Sequence, residues 1–147
     1  MERSQPAGAA SGLTDALVQT AFAVMAVLNR VGAENDLSLT QLRVLGILRD
    51  RRLRVSALAE YLGLEKSTMT GLVDRAEKRG LLGRLPSETD RRAVDVVITP
   101  QGRALAEPVV ARVDELLAPL VEALRPAERR QLQAQLERML EPRRLPT

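Results

Sequence analysis

The feature that most constrains the fold is a pair of helical patterns joined by a tight glycine turn, in residues 55–80. The first segment, VSALAEYLGL (55–64), has apolar residues at helical spacing and then reaches Gly63, a residue type that commonly ends a helix. The second, EKSTMTGLVDRAEKRG (65–80), separates into two faces before Gly80 ends it. Its apolar face holds Met69, Leu72, Val73 and Ala76, and its polar face holds Ser67, Thr70, Gly71, Asp74 and Lys78. A short helix, a tight turn and a longer helix with a polar outer face predict a helix-turn-helix.

Two short extended runs follow this pattern, LLGRL (81–85) and AVDVVIT (93–99), and together they predict a β-hairpin. The connection between them is long and polar, so its tip should project as a loop that carries Asp90, Arg91 and Arg92. By itself, this cluster is consistent with a solvated turn, a phosphate-binding site or a loop that inserts into a groove of DNA. Its position beside the helix-turn-helix favours the minor groove, next to the major groove that would hold the second helix.

Apolar stripes on both sides of this segment predict further helices. Residues 13–31 carry a stripe that is wider than one helical face, so this helix needs two partners, one in its own domain and one in a second copy of the chain. Leu39 begins another helix, with Ser38 or Thr40 near its N-terminus, and a basic loop at residues 49–54 follows it. Pro100 suits the first position of a long helix, which Pro108 and Pro119 should kink or interrupt. Residues 1–12 lack periodicity and predict a flexible N-terminal arm.

Composition and charge exclude several classes of protein. The chain has 147 residues, which suits one domain, and it contains no cysteine and no histidine, so thiol and imidazole chemistry are excluded. The longest apolar run, Ala21 to Leu28, is too short to span a membrane, so a cytoplasmic protein without a membrane partner is expected. The net charge is +3, and the residues between Gln41 and Arg92 include twelve Lys and Arg against seven Asp and Glu. That segment is suited to meet a polyanion, although such an asymmetry also arises without a function.

Four segments of the chain, taken in order, resemble the MarR (multiple antibiotic resistance regulator) family of bacterial winged-helix transcription factors. They are LSLTQLRVLGIL, SALAEYLGLEKSTMTGLVDRAEKRGLLGR, DRRAVDVVITPQGRAL and RPAERRQLQAQLERML, and the resemblance spans about residues 13–141. Its most specific part is the combination of LVDRAEKRGLLGR with DRR and ITPQG a few residues further on. The resemblance implies a mainly α fold with a small antiparallel β-hairpin wing. A winged helix-turn-helix lobe (38–99) would join N- and C-terminal dimerisation helices (13–33 and 100–141) in a single domain, 13–147.

The resemblance and the chemistry of the exposed residues together predict a DNA-contacting set. Asp90 and Arg92 match the Asp-x-Arg pattern of the family's wing, which implies that Arg92 enters the minor groove and that Asp90 fixes its side chain. On the second helix, small side chains allow close approach to base edges, and Arg75 is a candidate for a guanine or phosphate contact; the alternative is an ion pair with a neighbour such as Asp74. The predicted set is Lys66, Ser67, Thr68, Thr70, Gly71, Arg75, Arg84, Asp90, Arg91 and Arg92, with Lys66 and Arg84 on phosphates.

The resemblance and the charge pattern together predict a homodimeric transcriptional regulator, a repressor, that binds a palindromic operator in double-stranded DNA at the bacterial nucleoid. No metal and no cofactor are expected, and a small organic anion or phenolic compound is the expected effector. An enzyme is disfavoured because Glu88 and Asp90, the clustered carboxylates, lie on a loop that offers no desolvated pocket. Single-strand binding is disfavoured because the chain has one Tyr and one Phe for base stacking. The main alternative is a winged-helix module that binds an acidic protein partner.

Overall fold

Residues 7–145, which the computed structural model describes, form six α-helices, three short β-strands and one 3-10 turn. The helices are α1 (Ala7–Glu34), α2 (Leu39–Leu48), α3 (Val55–Leu62), α4 (Lys66–Lys78), α5 (Pro100–Val121) and α6 (Pro126–Leu140). The strands are β1 (Leu53–Arg54), β2 (Leu82–Pro86) and β3 (Val94–Ile98), and the 3-10 turn is Glu141–Arg143. The predicted fold class, mainly α with a small antiparallel sheet, is confirmed.

The first helix begins earlier than the sequence predicted. It starts at Ala7, so the predicted flexible arm was wrong for residues 7–12, while residues 1–6 lie outside the described part of the chain. The segment AGAASG contains three alanines, the residue type with the highest helix propensity, and these extend the helix in spite of two glycines. Lack of apolar periodicity therefore did not indicate lack of structure here.

Local signals set the ends of the three central helices as predicted. The Ser38 hydroxyl accepts the Gln41 backbone N–H at 3.1 Å, and the Gln41 side chain accepts the Ser38 N–H at 2.9 Å, which forms a capping box at the start of α2. Helix α3 ends at Gly63, whose φ of 67° lies in the left-handed region that favours glycine. The tight turn that follows leads into α4, whose buried face consists of the four predicted residues, Met69, Leu72, Val73 and Ala76.

The sheet contains one strand that the sequence did not reveal. Strands β2 and β3 form the predicted hairpin, with Gly83 opposite Val97 and Pro86 opposite Val94. The predicted basic loop at residues 49–54 instead ends in β1, which pairs antiparallel with the other side of β3, with Leu53 opposite Val96. A strand of two residues is too short to show alternation, so only the position of its partner identifies it. Because β1 pairs with Asp95 and Val96 on the free edge of β3, it anchors the hairpin at the middle of β3.

The core lies between the sheet and helices α2, α3 and α4. Its completely enclosed side chains include Leu48, Leu58, Met69 and Val96. Helix α5 leaves this lobe from Thr99, whose hydroxyl accepts the Gly102 backbone N–H at 2.9 Å. The helix continues through Pro108 and Pro119, so of the two predicted effects, a kink or an interruption, the interruption does not occur. Pro108 lies on the exposed side of α5, while Ala106 and Val109 are buried and hold the helix on the rest of the chain.

Candidate nucleic-acid interface

The outer face of α4 presents small polar side chains to solvent. Lys66, Ser67 and Thr68 are exposed in the first turn, and Thr70 is half-buried one turn further on. The Thr70 hydroxyl donates to the backbone oxygen of Lys66 at 2.8 Å, so its lone pairs remain available to a donor. Short side chains of this kind let a helix lie close to base edges. The side chains of all four residues are accessible to solvent, and their contact with DNA stays a prediction.

Gly71 and Arg75 form the second half of that surface. A methyl group added at Gly71 would lie 3.3 Å from the Arg75 Nη1 atom, the far end of a flexible side chain. A methyl group at Gly71 would therefore require a small shift of the Arg75 side chain. Within residues 11–145, whose side chains the structure describes, the Arg75 side chain forms no ion pair, so the alternative pairing with Asp74 is not observed. The guanidinium of Arg75 is free to meet a base or a phosphate.

Arg84 links the wing to α4. One terminal nitrogen of its guanidinium donates to Asp74 at 2.6 Å, and the other donates to Glu77. The hydrogen bond that Arg84 donates to Asp74 is the main reason that the pKa of Arg84 is raised above its usual value. The sequence assigned Arg84 to a phosphate, and that contact stays a prediction. In the structure the Arg84 guanidinium is paired with two carboxylates of α4, and these pairs fix β2 beside that helix.

A hydrogen-bonded turn closes the tip of the wing. One Asp90 carboxylate oxygen accepts the Arg92 backbone N–H at 3.0 Å, and the Asp90 carbonyl accepts the Ala93 N–H at 3.0 Å. The other carboxylate oxygen lies 3.6 Å from Arg54. The resemblance implied that Asp90 fixes the side chain of Arg92, and that role stays a prediction; in this structure Asp90 holds the backbone of Arg92 and pairs with Arg54. The side chains of Arg91 and Arg92 are exposed and form no ion pair within the described side chains, 11–145.

Arg52 holds the wing from the opposite side, a contact that sequence reasoning missed. Its guanidinium donates to the buried carboxylate of Asp95 in β3, to Glu88 in the loop and to the backbone oxygen of Pro86 in β2. The residue was read as part of a basic loop, since its partners lie 34 to 43 positions away along the chain. The one available signal was Asp95, a charged residue within an otherwise aliphatic strand.

A helix-turn-helix whose second helix lies beside a small sheet with a hairpin wing defines the winged-helix class. Residues 35–93 match the model of the MarR family. The transcriptional regulator PecS of Dickeya dadantii is 32% identical over 116 residues, which cover 76% of this chain and 70% of PecS. The regulator YfiV of Bacillus subtilis is 37% identical over 95 residues, and these cover 64% of this chain and 59% of YfiV, less than two thirds of its length.

A solved structure shows the same architecture. CouR from Rhodococcus jostii RHA1, bound to p-coumaroyl-CoA, is 26% identical and superposes with a TM-score of 0.75, covering 86% of this chain and 90% of CouR. The chain belongs to the MarR family of transcriptional regulators, as the sequence segments predicted. This membership, in a family of regulators, agrees with the expectation that the chain is not an enzyme.

Proposed function

We propose that the chain is a homodimeric regulator that binds a palindromic operator in double-stranded DNA and represses a promoter until a small ligand releases it. The observation that carries this proposal is the division of the arginines around the wing. Arg52 and Arg84 are paired with carboxylates and hold the wing in place, whereas Arg75, Arg91 and Arg92 carry charge that no described carboxylate neutralises. Free charge therefore lies on the two elements that would face the major and the minor groove.

An apolar face on α1, α5 and α6 supports the homodimer. Within the single chain, none of the residues of α6 is buried, and Phe22, Leu120 and Met139 are at least half exposed. A groove of about 430 Å³ between these three helices is lined by aliphatic side chains, including Leu17, Leu117 and Leu136. Exposed apolar surface of this extent marks a contact site. A second copy of the chain, docking the same surface in return, would cover it.

The length and composition of α1 also admit another interpretation. Residues Ser11–Glu34 are long and apolar enough to cross a membrane, a finding that the sequence reading, based on the unbroken run from Ala21 to Leu28, did not anticipate. One such helix is weak evidence, because core helices of soluble proteins and signal sequences meet the same criterion. We assign this face to the subunit contact, since the chain belongs to a family of transcription regulators, and we place the protein in the cytoplasm at the nucleoid.

Two apolar cavities beside Arg43 support a ligand of the predicted class. One, of about 280 Å³, lies between α1, α2 and α5 and is lined by residues such as Leu28, Leu45 and Val109. The other, of similar volume, is lined by Met25, Leu39, Leu62 and Leu64. Arg43 borders both cavities and donates to the Tyr61 hydroxyl at 3.2 Å. Aliphatic walls with one cation suit an aromatic or aliphatic anion, and the relative CouR binds p-coumaroyl-CoA.

Salt dependence of binding tests the proposed DNA contact. A duplex selected from a random pool is titrated with the protein at several salt concentrations, and binding is followed by fluorescence anisotropy. A DNA-binding regulator should lose affinity linearly on a log-log plot, with a slope of about −0.9 for each phosphate that it neutralises. A single strand of the same sequence serves as the control. Failure to select any duplex, or equal affinity for both nucleic acids, would favour the alternative of a module that binds an acidic protein.

A further inference from the structure

We infer that Arg52 is a positioning residue for DNA recognition. In the DNA-free protein it fixes the orientation of the wing and thereby that of Arg91 and Arg92. This inference rests on the proposed function, and it adds a residue outside the predicted DNA-contacting set. We do not assign Arg52 itself to a DNA contact, because each of its three guanidinium nitrogens donates a hydrogen bond within the protein.

The contacts of Arg52 reach three separate parts of the hairpin. Its Nε donates to Asp95 in β3 at 3.0 Å, its Nη1 donates to Glu88 in the loop at 3.1 Å, and its Nη2 donates to the Pro86 oxygen at 2.7 Å. Pro86 is the last residue of β2, so the fork spans both strands and the loop between them. A planar guanidinium binds such a set only in one orientation. The three contacts together oppose rotation of the loop about the ends of the strands.

Neutralisation of Asp95 alone does not account for this arrangement. The Asp95 side chain is 12% exposed and needs a partner, and the single bond from the Arg52 Nε atom supplies one. The bonds to Glu88 and Pro86 are additional, and Glu88 is largely exposed, with no burial that requires compensation. These two contacts restrict the loop that leads to Asp90, and Arg54 reaches Asp90 from the same edge of the sheet. Arg52 therefore holds the wing where its strands enter the loop, and Arg54 holds its tip.

This arrangement has a consequence for affinity. A loop that is already ordered loses less conformational entropy on binding than a mobile one. Removal of the Arg52 side chain keeps Arg91 and Arg92 in the sequence, but the loop that carries them should then adopt many orientations. The cost should appear at the minor-groove contact and not at the contact made by α4, because Arg84 joins α4 to β2 independently of Arg52.

Comparison of Arg52→Ala with Arg51→Ala tests this inference. Arg51 is the neighbouring arginine, and its Nε pairs with Asp50, the adjacent residue, so its removal changes the net charge equally without touching the wing. In the free protein, amide hydrogen exchange at residues 87–93 should be faster in Arg52→Ala and unchanged in Arg51→Ala. On a selected duplex, Arg52→Ala should bind about tenfold more weakly and lose hydroxyl-radical protection in the minor groove, while major-groove methylation protection is kept.

A second variant covers the case in which Arg52→Ala does not fold. Glu88→Gln alters only the exposed contact, so it should keep the native melting temperature and show a smaller increase in exchange at the same residues. Exchange and minor-groove protection like those of the unmodified chain, in a folded Arg52→Ala or in Glu88→Gln when Arg52→Ala does not fold, would overturn the inference. Should the unmodified chain bind no duplex, the proposed function would fail, while the exchange measurement on the free protein would still decide whether Arg52 orders the wing.

Discussion

The arginines around the wing fall into two groups. Arg52 and Arg84 form ion pairs with carboxylates, whereas Arg91 and Arg92 form none within the described side chains, 11–145. The sequence shows the cations but not their partners, because Arg52 meets Asp95 across 43 positions and Arg84 meets Asp74 across 10. Ion pairs of this kind are set by the packing of the sheet, which local pattern does not encode. The exposed positions of Lys66, Ser67, Thr68, Arg91 and Arg92 could be predicted, since helical period and turn composition place them outside. Whether these residues bind DNA stays a prediction.

Arg92 should contribute directly to DNA affinity. Its side chain is exposed, and its backbone is fixed by Asp90, so Arg92→Ala removes a charge without removing a structural contact. Affinity for a selected duplex should fall by about 1–3 kcal/mol with the dimer intact, as measured by anisotropy and sedimentation. Arg130→Ala, a change of an exposed arginine on α6, is the control. Unchanged affinity in Arg92→Ala would remove the wing arginine from the mechanism.

Gly71 should show opposite effects on stability and on binding. Alanine is favoured over glycine within a helix by up to about 1 kcal/mol, and the nearest atom to the new methyl group belongs to the movable end of Arg75. Gly71→Ala should therefore raise the free energy of unfolding in urea and yet weaken binding to a selected duplex, because the methyl group occupies the surface that approaches the bases. A variant that is stabilised and binds DNA as before would show that close approach at this position is not required.

At the level of secondary-structure elements, local signals were sufficient where a specific residue ends the element. Ser38, Gly63 and Gly80 placed the ends of α2, α3 and α4 to within two residues. Two elements were missed for different reasons. The beginning of α1 depends on alanine propensity and not on apolar period, and β1 exists because β3 offers it an unpaired edge. Helix α5 continues through two prolines; near Pro108 the buried residues Ala106 and Val109 hold it on the rest of the chain.

The junction between α5 and the sheet should tolerate no side chain at Gly102. An added Cβ there would lie 2.0 Å from the Leu81 carbonyl oxygen and 2.9 Å from Ile98, so the helix would have to move away from the start of β2. Gly102→Ala should lower the free energy of unfolding by about 2 kcal/mol or more. Gly46→Ala in α2 is the matched control, because its new methyl group would meet only the end of Arg43 at 3.9 Å. Equal urea midpoints for the two variants would refute the close contact.

At the scale of the whole molecule, the winged helix-turn-helix lobe is well packed, whereas the long helices are only partly covered in the single chain. The lobe buries its own core, whereas α6 and the first part of α1 leave apolar side chains exposed in the single chain. The sequence predicted this division, because the stripe in residues 13–31 is wider than one face. The sequence could not give the geometry of the proposed contact between two copies of the chain, because that geometry depends on both surfaces together.

A negative charge introduced on the exposed side of α6 should dissociate the proposed homodimer. Leu136 lines the groove between α1, α5 and α6, so Leu136→Glu places a carboxylate in the proposed contact and should shift the mass in analytical ultracentrifugation from two chains towards one. The folded lobe should be retained, because α6 buries none of its residues within the chain. Gln135→Glu adds the same charge one position away and should leave the mass unchanged. A dimer that persists in Leu136→Glu would place the contact elsewhere.

The central claim is that two copies of this chain read one duplex with α4 in the major groove and the wing in the minor groove. Footprinting of the protein on a duplex selected from a random pool tests it most directly. The account predicts a two-fold symmetric footprint, with two major-groove sites about one helical turn apart and a minor-groove contact outside each that disappears in Arg92→Ala. A footprint without two-fold symmetry, or a pool from which no sequence is enriched, would contradict it.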